Sequence, residues 1–216
     1  MTDEPLAATL VERLDRMEST EALRQLAFTY ALAVDARDLD LLVSLYVDDV
    51  RTADGPGRAA LKAVFDKSLR QFTTSSHLVS NHLIEFIDPD NAFGLVSCRI
   101  EHEVGSEWVT MVSLYHDRYE RRAGRWYFRG RIPARLYATA EDDLPLGDNK
   151  LRWPGGTPMA GNFHDSLPSW RAFWGEGEAA ADDAAAYDVA ADAARDTPIT
   201  RLRGTPRLPP APPFFF

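Results

Sequence analysis

Asp35 ends an apolar, helix-forming stretch, YALAVD, at residues 30–35. Unpaired carbonyl groups at the C-terminal end of a helix disfavour a negative charge by about 0.3–1 kcal/mol. Burial also disfavours the charged carboxylate, so we expect the pKa of Asp35 to be raised. A carboxyl group placed against both effects is typical of a tuned acid or base, or of a residue that orients a histidine. The alternative is a surface aspartate in the turn DARD, where aspartate is common.

His77 begins a segment with the two-residue period of a strand, HLVSNHLIEFI. An imidazole, with an ordinary pKa of about 6.5, suits proton transfer near neutral pH. Strict alternation puts His82 on the opposite face from His77, so both line one pocket only if a β-bulge lies between them. The residues predicted to share the face of His77 are Val79, Asn81, Leu83 and Glu85. The alternative for His77 is an ordinary hydrogen-bonded histidine at a strand edge.

The last predicted strand, RWYFRGRIPARLYA, has one apolar face and one cationic, aromatic face. The even positions are Trp126, Phe128, Gly130, Ile132, Ala134 and Leu136. The odd positions are Arg125, Tyr127, Arg129, Arg131, Pro133, Arg135 and Tyr137. A solvated face is the usual explanation of such a charge run. Four arginines on one face nevertheless exceed what an acidic protein requires for solubility.

Three helices precede these strands. Helical spacing predicts a first buried stripe, with Ser19 or Thr20 as the helix cap. Its members are Leu23, Leu26, Ala27, Tyr30, Ala31 and Val34. On this stripe Tyr30 is most simply a core residue whose hydroxyl is satisfied. Asp38 is predicted to cap a second helix, LDLLVSLYV, and RAALKAVFDKSLRQF predicts a third.

The strands that follow the helices are joined by short turns. Asp88-Pro89-Asp90-Asn91 is a strong turn signal, and Ala123-Gly124 suits a tight hairpin. Helices followed by long, hairpin-connected strands predict an α+β fold and not the alternating order of a doubly wound sheet.

Composition restricts the class of partner. The chain has 216 residues, 45% of them hydrophobic, with a net charge of −9. This charge argues against nucleic acid or an anionic membrane as a partner, since both require a positive face. The single cysteine, Cys98, permits no internal disulfide and favours a reducing, cytoplasmic location. The N-terminus lacks the features of a signal peptide, and no stretch approaches the length of a membrane span.

The sequence changes character near residue 140. Residues 1–140 are predicted to form the α+β domain, and residues 141–175 a Trp-rich ordered extension that packs on it. Residues 176–216 read as an acidic, Ala-rich and then Pro-rich tail that ends in Phe214–Phe216. These phenylalanines are predicted either to dock on a neighbouring subunit or to be exposed.

Several segments resemble a known family. The opening helices of the nuclear-transport-factor-2-like superfamily, in its SnoaL-like branch, are similar to EALRQLAFTYALAVDARDLDLLVSLYVDDV. The branch's first long strand and closing hairpin are similar to SSHLVSNHLIEF and SLYHDRYERRAGRWYFRGRIPARLYA. The resemblance covers roughly residues 12–140. It implies a conical α+β domain in which a strongly curved, mostly antiparallel sheet wraps three helices and leaves a deep pocket. Members of this superfamily catalyse elimination, isomerisation or cyclisation, or no reaction, so only the site can indicate the function.

The resemblance also implies roles for individual residues. In the dehydratases of this branch, an aspartate matching Asp35 pairs with a catalytic histidine matching His77. Tyr30 matches a pocket position of bile-acid 7α-dehydratase. Arg131 matches a pocket arginine of hexachlorocyclohexane dehydrochlorinase, and Arg135 one of the bile-acid enzyme. Either arginine would stabilise an enolate, bind a leaving group or hold a carboxylate or thioester carbonyl; which of them faces the pocket stays open.

The sequence also departs from the dehydrochlorinase pattern. Leu45-Tyr46 replaces a tryptophan pair, and a basic residue of the first helix is not reproduced, which argues against dehalogenation. The histidines lack the spacing of metal ligands, so we predict neither a metal nor a cofactor.

We therefore predict a cofactor-independent dehydratase-type lyase. Its substrate would be a hydrophobic alicyclic, steroid-like or polyketide-like hydroxy-carbonyl compound, resembling the substrates of bile-acid 7α-dehydratase and scytalone dehydratase. An isomerase or cyclase would use the same proton chemistry. The remaining alternative is a non-catalytic ligand-binding or assembly subunit. A homo-oligomer, with a trimer favoured by the resemblance, is also expected.

Overall fold

The computed structural model describes residues 10–167 and Trp170. The elements are α1 (Leu10–Asp35), α2 (Leu39–Ser44), β1 (Arg51–Thr52), β2 (Gly55–Pro56), α3 (Arg58–Leu69), β3 (Thr74–Phe86), β4 (Asn91–Val104), β5 (Glu107–Arg122) and β6 (Arg125–Ala140). Helices followed by long strands confirm the predicted α+β fold. The tail predicted for residues 176–216 lies outside the described residues. None of the described helices has both the length and the apolar character required to cross a membrane.

α1 is one continuous helix of 26 residues. The prediction that Ser19 or Thr20 caps its start was wrong, because Ser19 is buried within the helix and Thr20 Oγ1 donates to the carbonyl of Arg16 at 2.8 Å. A hydroxyl that bonds back one turn is satisfied inside a helix and does not end it. The predicted stripe is confirmed, since its members are all buried: Leu23, Leu26, Ala27, Tyr30, Ala31 and Val34.

Asp38 begins α2 as predicted. Its carboxylate accepts the backbone N–H of Leu41 at 2.9 Å, which satisfies one of the free donors in the first turn. α2 ends at Ser44, so the helix is shorter than the predicted LDLLVSLYV. The chain then forms a small β1–β2 hairpin before α3.

The main sheet has four antiparallel strands in the order β3-β4-β5-β6. α1 packs against β3 and β6. The principal core lies between the helices and one face of this sheet, and it includes Leu23, Leu42, Val47, Tyr119 and Phe128, all 2% exposed or less. The Ala123-Gly124 hairpin is confirmed, and both residues have the positive φ angles (49° and 78°) that a tight turn between twisted strands requires.

A β-bulge in β3 changes which side chains share a face. Val79 pairs with Cys98 and His82 with Val96, so β3 carries one extra residue between them. Val79 therefore shares the face of His77 as predicted. The prediction was wrong for Asn81, Leu83 and Glu85, which lie in or beyond the bulge. Asn81 and Leu83 are exposed, whereas His77 and His82 both face the helices. We expected both histidines to line one face only if a β-bulge lay between them, and the structure contains that bulge.

A bulge at Arg129, one of two in β6, divides the predicted cationic face. Phe128 pairs with Tyr119 and Gly130 with Arg118, which leaves Arg129 as the extra residue. Trp126 and Phe128 therefore share the inner face with Arg131 and Arg135, and Arg125 and Arg129 lie outside. The prediction that one face carries all four arginines was wrong, because an extra residue exchanges the two faces of a strand.

The chain beyond β6 lies along that strand's free edge. The Arg152 N–H donates to the carbonyl of Ala138 at 2.6 Å, and the Asn162 N–H donates to that of Arg135 at 2.7 Å. Asn162 Oδ1 in turn accepts the Arg135 N–H at 2.6 Å. These bonds satisfy backbone groups that an open edge strand would leave exposed.

Gly94 on β4 lies beneath the ring of Tyr119. A Cβ at this position would come within 2.6 Å of the Tyr119 ring, whereas one at Gly130 would meet nothing within 4 Å. We expect Gly94→Ala to lower the free energy of unfolding by about 1–3 kcal/mol, since the ring must move in a packed core. Urea unfolding checks this, with Gly130→Ala as the matched control. Equal stability of the two variants would contradict the packing described.

Candidate active site

Asp35 and His77 meet where α1 ends and β3 begins. Asp35 Oδ1 lies 2.6 Å from His77 Nδ1, and Oδ2 accepts the His77 backbone N–H at 2.8 Å. Ser75 Oγ donates to Oδ1 at 2.8 Å. The His77 side chain is 7% exposed and that of Asp35 is 23% exposed, so the pair is largely withdrawn from solvent. Both carboxylate oxygens are therefore hydrogen-bonded to the first residues of the strand.

The charge state of Asp35 differs from the expectation. Burial acts to raise its pKa, as predicted, but the hydrogen bonds from the ring and backbone of His77 and from Ser75 outweigh burial. The pKa of Asp35 consequently lies below its ordinary value, and the expectation of a raised pKa was wrong. Asp35 is a carboxylate at neutral pH and is suited to orient a histidine, not to donate a proton.

The contact with Asp35 distinguishes the two ring nitrogens of His77. A carboxylate accepts a proton donor, so it favours the tautomer that carries hydrogen on Nδ1. Nε2 is then the nitrogen that can remove a proton from another molecule. An imidazolium formed in this way would be stabilised by the adjacent negative charge.

A second histidine and a tryptophan lie beside this pair. The ring of His102 on β4 is 6.4 Å from that of His77, and Trp153 packs edge-on against His102 at 5.1 Å between centroids. Burial, together with the nearby His77, lowers the pKa of His102 to about 4, so this ring is neutral at pH 7. Trp153 thereby brings the segment after β6 to the edge of the site. The sequence predicted that the Trp-rich extension packs on the domain, but its lack of a period gave no specific contact for Trp153.

A buried ion pair lies further along the same inner face. Arg131 Nε and Nη2 each donate to Asp117 at 2.7 Å, and the two side chains are 2% and 0% exposed. Tyr119 donates to Asp117 Oδ2 at 2.7 Å, and His82 Nε2 lies 3.0 Å from the Tyr119 hydroxyl. Burial lowers the pKa of Arg131, but Asp117 raises it by more, so the guanidinium stays cationic.

Three aromatic rings surround the Arg131 guanidinium. Its Cζ lies 4.3 Å from the centroid of Tyr30 and 4.4 Å from those of Tyr115 and Phe128. Rings at this distance stabilise a cation and fix its plane. Burial raises the pKa of Tyr30, so its hydroxyl keeps its proton and can donate it in a hydrogen bond. The structure thus places Tyr30 beside Arg131 and not against Asp35.

Arg131 and Arg135 both point to the inner face. Arg131 is held by Asp117, and its Nη1 is buried with no hydrogen-bond partner within residues 10–167. Arg135 is affected electrostatically by Tyr115 and Tyr30, and burial lowers its pKa. The outward arginine Arg129 pairs with Asp49 at 2.8 Å. Arg131 and Arg135 thus both lie on the inner face of β6, and which of them meets a ligand stays a prediction.

Apolar side chains from α1, β3, β4 and β5 pack together in a cluster on the same face. This cluster comprises Ala27, Val79, Val96, Cys98, Ile100, Met111 and Tyr115. Cys98 is 1% exposed, and burial raises the pKa of its thiol to about 12, so it behaves as a small apolar residue.

In the part of the chain that the structure describes, no three His, Cys, Asp or Glu side chains are arranged to hold a metal ion.

Comparison with known proteins identifies related domains. A family model described as a SnoaL-like domain matches residues 15–132. Gamma-hexachlorocyclohexane dehydrochlorinase of Sphingobium indicum is 28% identical over 134 residues, which is 58% of this chain and 86% of that protein. Hexachlorocyclohexane dehydrochlorinase 1 of the same species is 29% identical over 121 residues, covering 52% and 79%.

Solved structures show the same fold. The crystal structure of LinA has a TM-score of 0.56 and 25% identity, and the match covers 62% of this chain and 97% of that one. LinA-type3 from Novosphingobium barchaimii has a TM-score of 0.55 and 26% identity, covering 61% and 96%. A proposed scytalone dehydratase from Novosphingobium aromaticivorans, at 21% identity and a TM-score of 0.52 over 60% and 92%, is similar in fold alone.

Two arginines of β6 each pair with an aspartate, one pair buried and the other partly exposed. Comparing them tests whether the Asp117–Arg131 pair is buried. We expect Arg131→Met to lower the free energy of unfolding by about 3–5 kcal/mol, because Asp117 would keep a buried, unpaired charge. Arg129→Met removes a partly exposed pair with Asp49 and is expected to cost about 0–1 kcal/mol. Urea unfolding of both variants measures the difference. Similar losses would show that the Asp117–Arg131 pair is not buried as described.

Proposed function

Because the chain belongs to the SnoaL-like domain family, we propose that it is a cofactor-independent lyase that removes water from a hydrophobic hydroxy-carbonyl compound. The observation that carries this proposal is the 2.6 Å contact between Asp35 Oδ1 and His77 Nδ1. This distance lies within the range expected for a base and the group that orients it. Two residues 42 positions apart meet here in a largely buried setting.

The proposed reaction begins with proton removal. Nε2 of His77 takes a proton from the carbon next to the substrate carbonyl, and the electrons of that C–H bond form an enolate. Asp35 stabilises the resulting imidazolium. The enolate then expels the β-hydroxyl, which takes the proton from the imidazolium and leaves as water. Neutral His77 is restored, and no oxidant or co-reactant is required.

The charge of the enolate requires a hydrogen-bond donor or a positive charge elsewhere on the inner face. Tyr30 and Arg131 are the proposed groups, since they lie together on the inner face and both carry hydrogen-bond donors. Arg131 Nη1 is buried with no acceptor among the described residues, which is an arrangement that a substrate oxygen would satisfy. Arg135 contributes positive charge at the same face.

The substrate class follows from the residues between these groups. A compound that reaches from His77 to Tyr30 must lie against the apolar cluster around Val79, Ile100 and Met111. An alicyclic, steroid-like or polyketide-like skeleton has the required shape and polarity. An isomerase or cyclase would use the same base, and the position of the leaving group in the substrate decides between them.

A second candidate is the loss of hydrogen chloride. It is favoured by the 28% identity to the Sphingobium indicum dehydrochlorinase. It would use the same base, because both eliminations begin with removal of a proton. Leu45-Tyr46, in place of the tryptophan pair expected from the resemblance, argues for a different leaving group.

Turnover of two probes separates these candidates. An alicyclic β-hydroxy ketone is followed by the absorbance of the conjugated enone that it forms, and γ-hexachlorocyclohexane by chloride release. We expect turnover of the hydroxy ketone, with His77→Gln and Asp35→Asn each reducing kcat by about 10²–10⁴-fold, which is the usual contribution of a positioned base.

His164→Gln is the matched control, because His164 stacks on Trp170 at 4.0 Å and makes no described contact with the site. It is expected to retain wild-type rates. Turnover that survives in both His77→Gln and Asp35→Asn would exclude this mechanism. A folded wild-type protein that binds the probes without turning them over would favour a non-catalytic ligand-binding protein.

A further inference from the structure

The turn that ends α1 contains an unusual residue. The Arg37 N–H donates to the carbonyl of Val34 at 3.1 Å, and the Asp38 N–H donates to that of Ala33 at 2.9 Å. This pair of bonds is the Schellman arrangement, which requires a left-handed residue at the position of Arg37. Arg37 has a φ of 58°. Glycine is usual there, because a side chain strains the left-handed conformation.

The contacts of the Arg37 side chain explain why an arginine occupies this strained position. Arg37 Nη1 donates to the carbonyl of Val34 at 2.8 Å and to Ser75 Oγ at 3.0 Å. Nη2 lies 3.3 Å from the carbonyls of Phe72 and Thr73, and Cζ lies 4.7 Å from the Phe72 ring. One guanidinium therefore joins the end of α1 to the segment that enters β3. These are the two elements that carry Asp35 and His77.

Ser75 transmits this contact to the carboxylate. Its hydroxyl accepts from Arg37 and donates its only proton to Asp35 Oδ1, the same oxygen that contacts His77 Nδ1. Because these two bonds fix the direction of the Ser75 hydroxyl proton, Ser75 holds Asp35 Oδ1 in line with the His77 ring. We propose that Arg37 is a positioning residue that acts through Ser75 to hold Asp35 against His77. The catalytic part of this inference rests on the proposed function, but the geometric part does not.

The charge on Asp35 supports the same assignment. The groups that act on it are His77 and Ser75 on β3, Arg37 in the turn, and His102 and Cys98 on β4. Arg37 is cationic, and both His102 and Cys98 are buried in neutral form. Loss of the Ser75 hydrogen bond removes one of the interactions that lower the pKa of Asp35, so that pKa should rise.

Arg37→Gly separates the turn from the side chain. Glycine keeps the left-handed turn and relieves its strain, so the variant should remain folded, whereas its kcat should fall about tenfold or more with KM little changed. Arg37→Lys should restore only part of the rate, because an ammonium cannot make the four planar contacts. Ala123→Gly, at the other described non-glycine residue with a positive φ, is the control for strain relief. It should leave kcat unchanged.

Ser75→Ala tests the link without depending on turnover. The carboxyl carbon of Asp35 is titrated by NMR in the wild type, in Ser75→Ala and in Ser76→Ala, whose side chain is exposed on the opposite face. We expect the midpoint for Asp35 to rise in Ser75→Ala and in Arg37→Gly, and to stay in place in Ser76→Ala. Unmoved midpoints in Ser75→Ala and Arg37→Gly would overturn the inference.

The two proposals fail in different ways. If His77→Gln abolishes turnover while Arg37→Gly keeps the wild-type kcat, the positioning role is wrong and the proposed reaction stands. If the Asp35 midpoint moves as expected but neither probe is turned over, the positioning role stands and the proposed function is wrong.

Discussion

The proposed function depends on one hydrogen bond, between the His77 ring and the Asp35 carboxylate. It forms only because the C-terminal end of α1 meets the first residues of β3, and both carboxylate oxygens are bonded to that strand. A carboxylate at the end of a helix is disfavoured by about 0.3–1 kcal/mol, yet three hydrogen bonds reverse the balance and keep Asp35 charged. The helix end supplies the negative charge, and the strand supplies the hydrogen-bond donors that stabilise it.

The remainder of the inner face depends on residues inserted in β3 and β6. The bulge in β3 turns His82 inward beside Tyr119, and the bulge in β6 turns Arg131 and Arg135 inward while Arg129 stays outside. A buried arginine is tolerated because Asp117 pairs with it and three aromatic rings surround it. The same face therefore carries the Asp35–His77 pair and a fixed positive charge at Arg131, together with a cluster of apolar side chains. This separation suits a reaction that removes a proton at one carbon and stabilises charge on a nearby oxygen.

The sequence predicted the elements better than the faces. Periods of 3.6 and 2 identified the helices, the strands and the hairpin turns, and the family resemblance brought Asp35 and His77 together. Strict alternation then failed at the bulges, since one extra residue reverses the side chains that follow it and leaves no mark in the pattern of residue types. Asp117 and Tyr119 lay in a strand with no distinguishing motif. Arg37 and Ser75 read as ordinary turn and strand residues, because their roles depend on contacts across about 40 positions of chain.

The state of the His77 ring is the most direct test of this description of the site. Long-range ¹H–¹⁵N NMR of the folded protein, at a pH where the ring is neutral, reports which nitrogen carries the proton. A ring held by the Asp35 carboxylate must carry it on Nδ1 and present a bare Nε2. Asp35→Asn should abolish this preference. A wild-type ring protonated on Nε2, or an even mixture of both tautomers, would contradict the proposed orienting role of Asp35 and leave His77 without the form that a base requires.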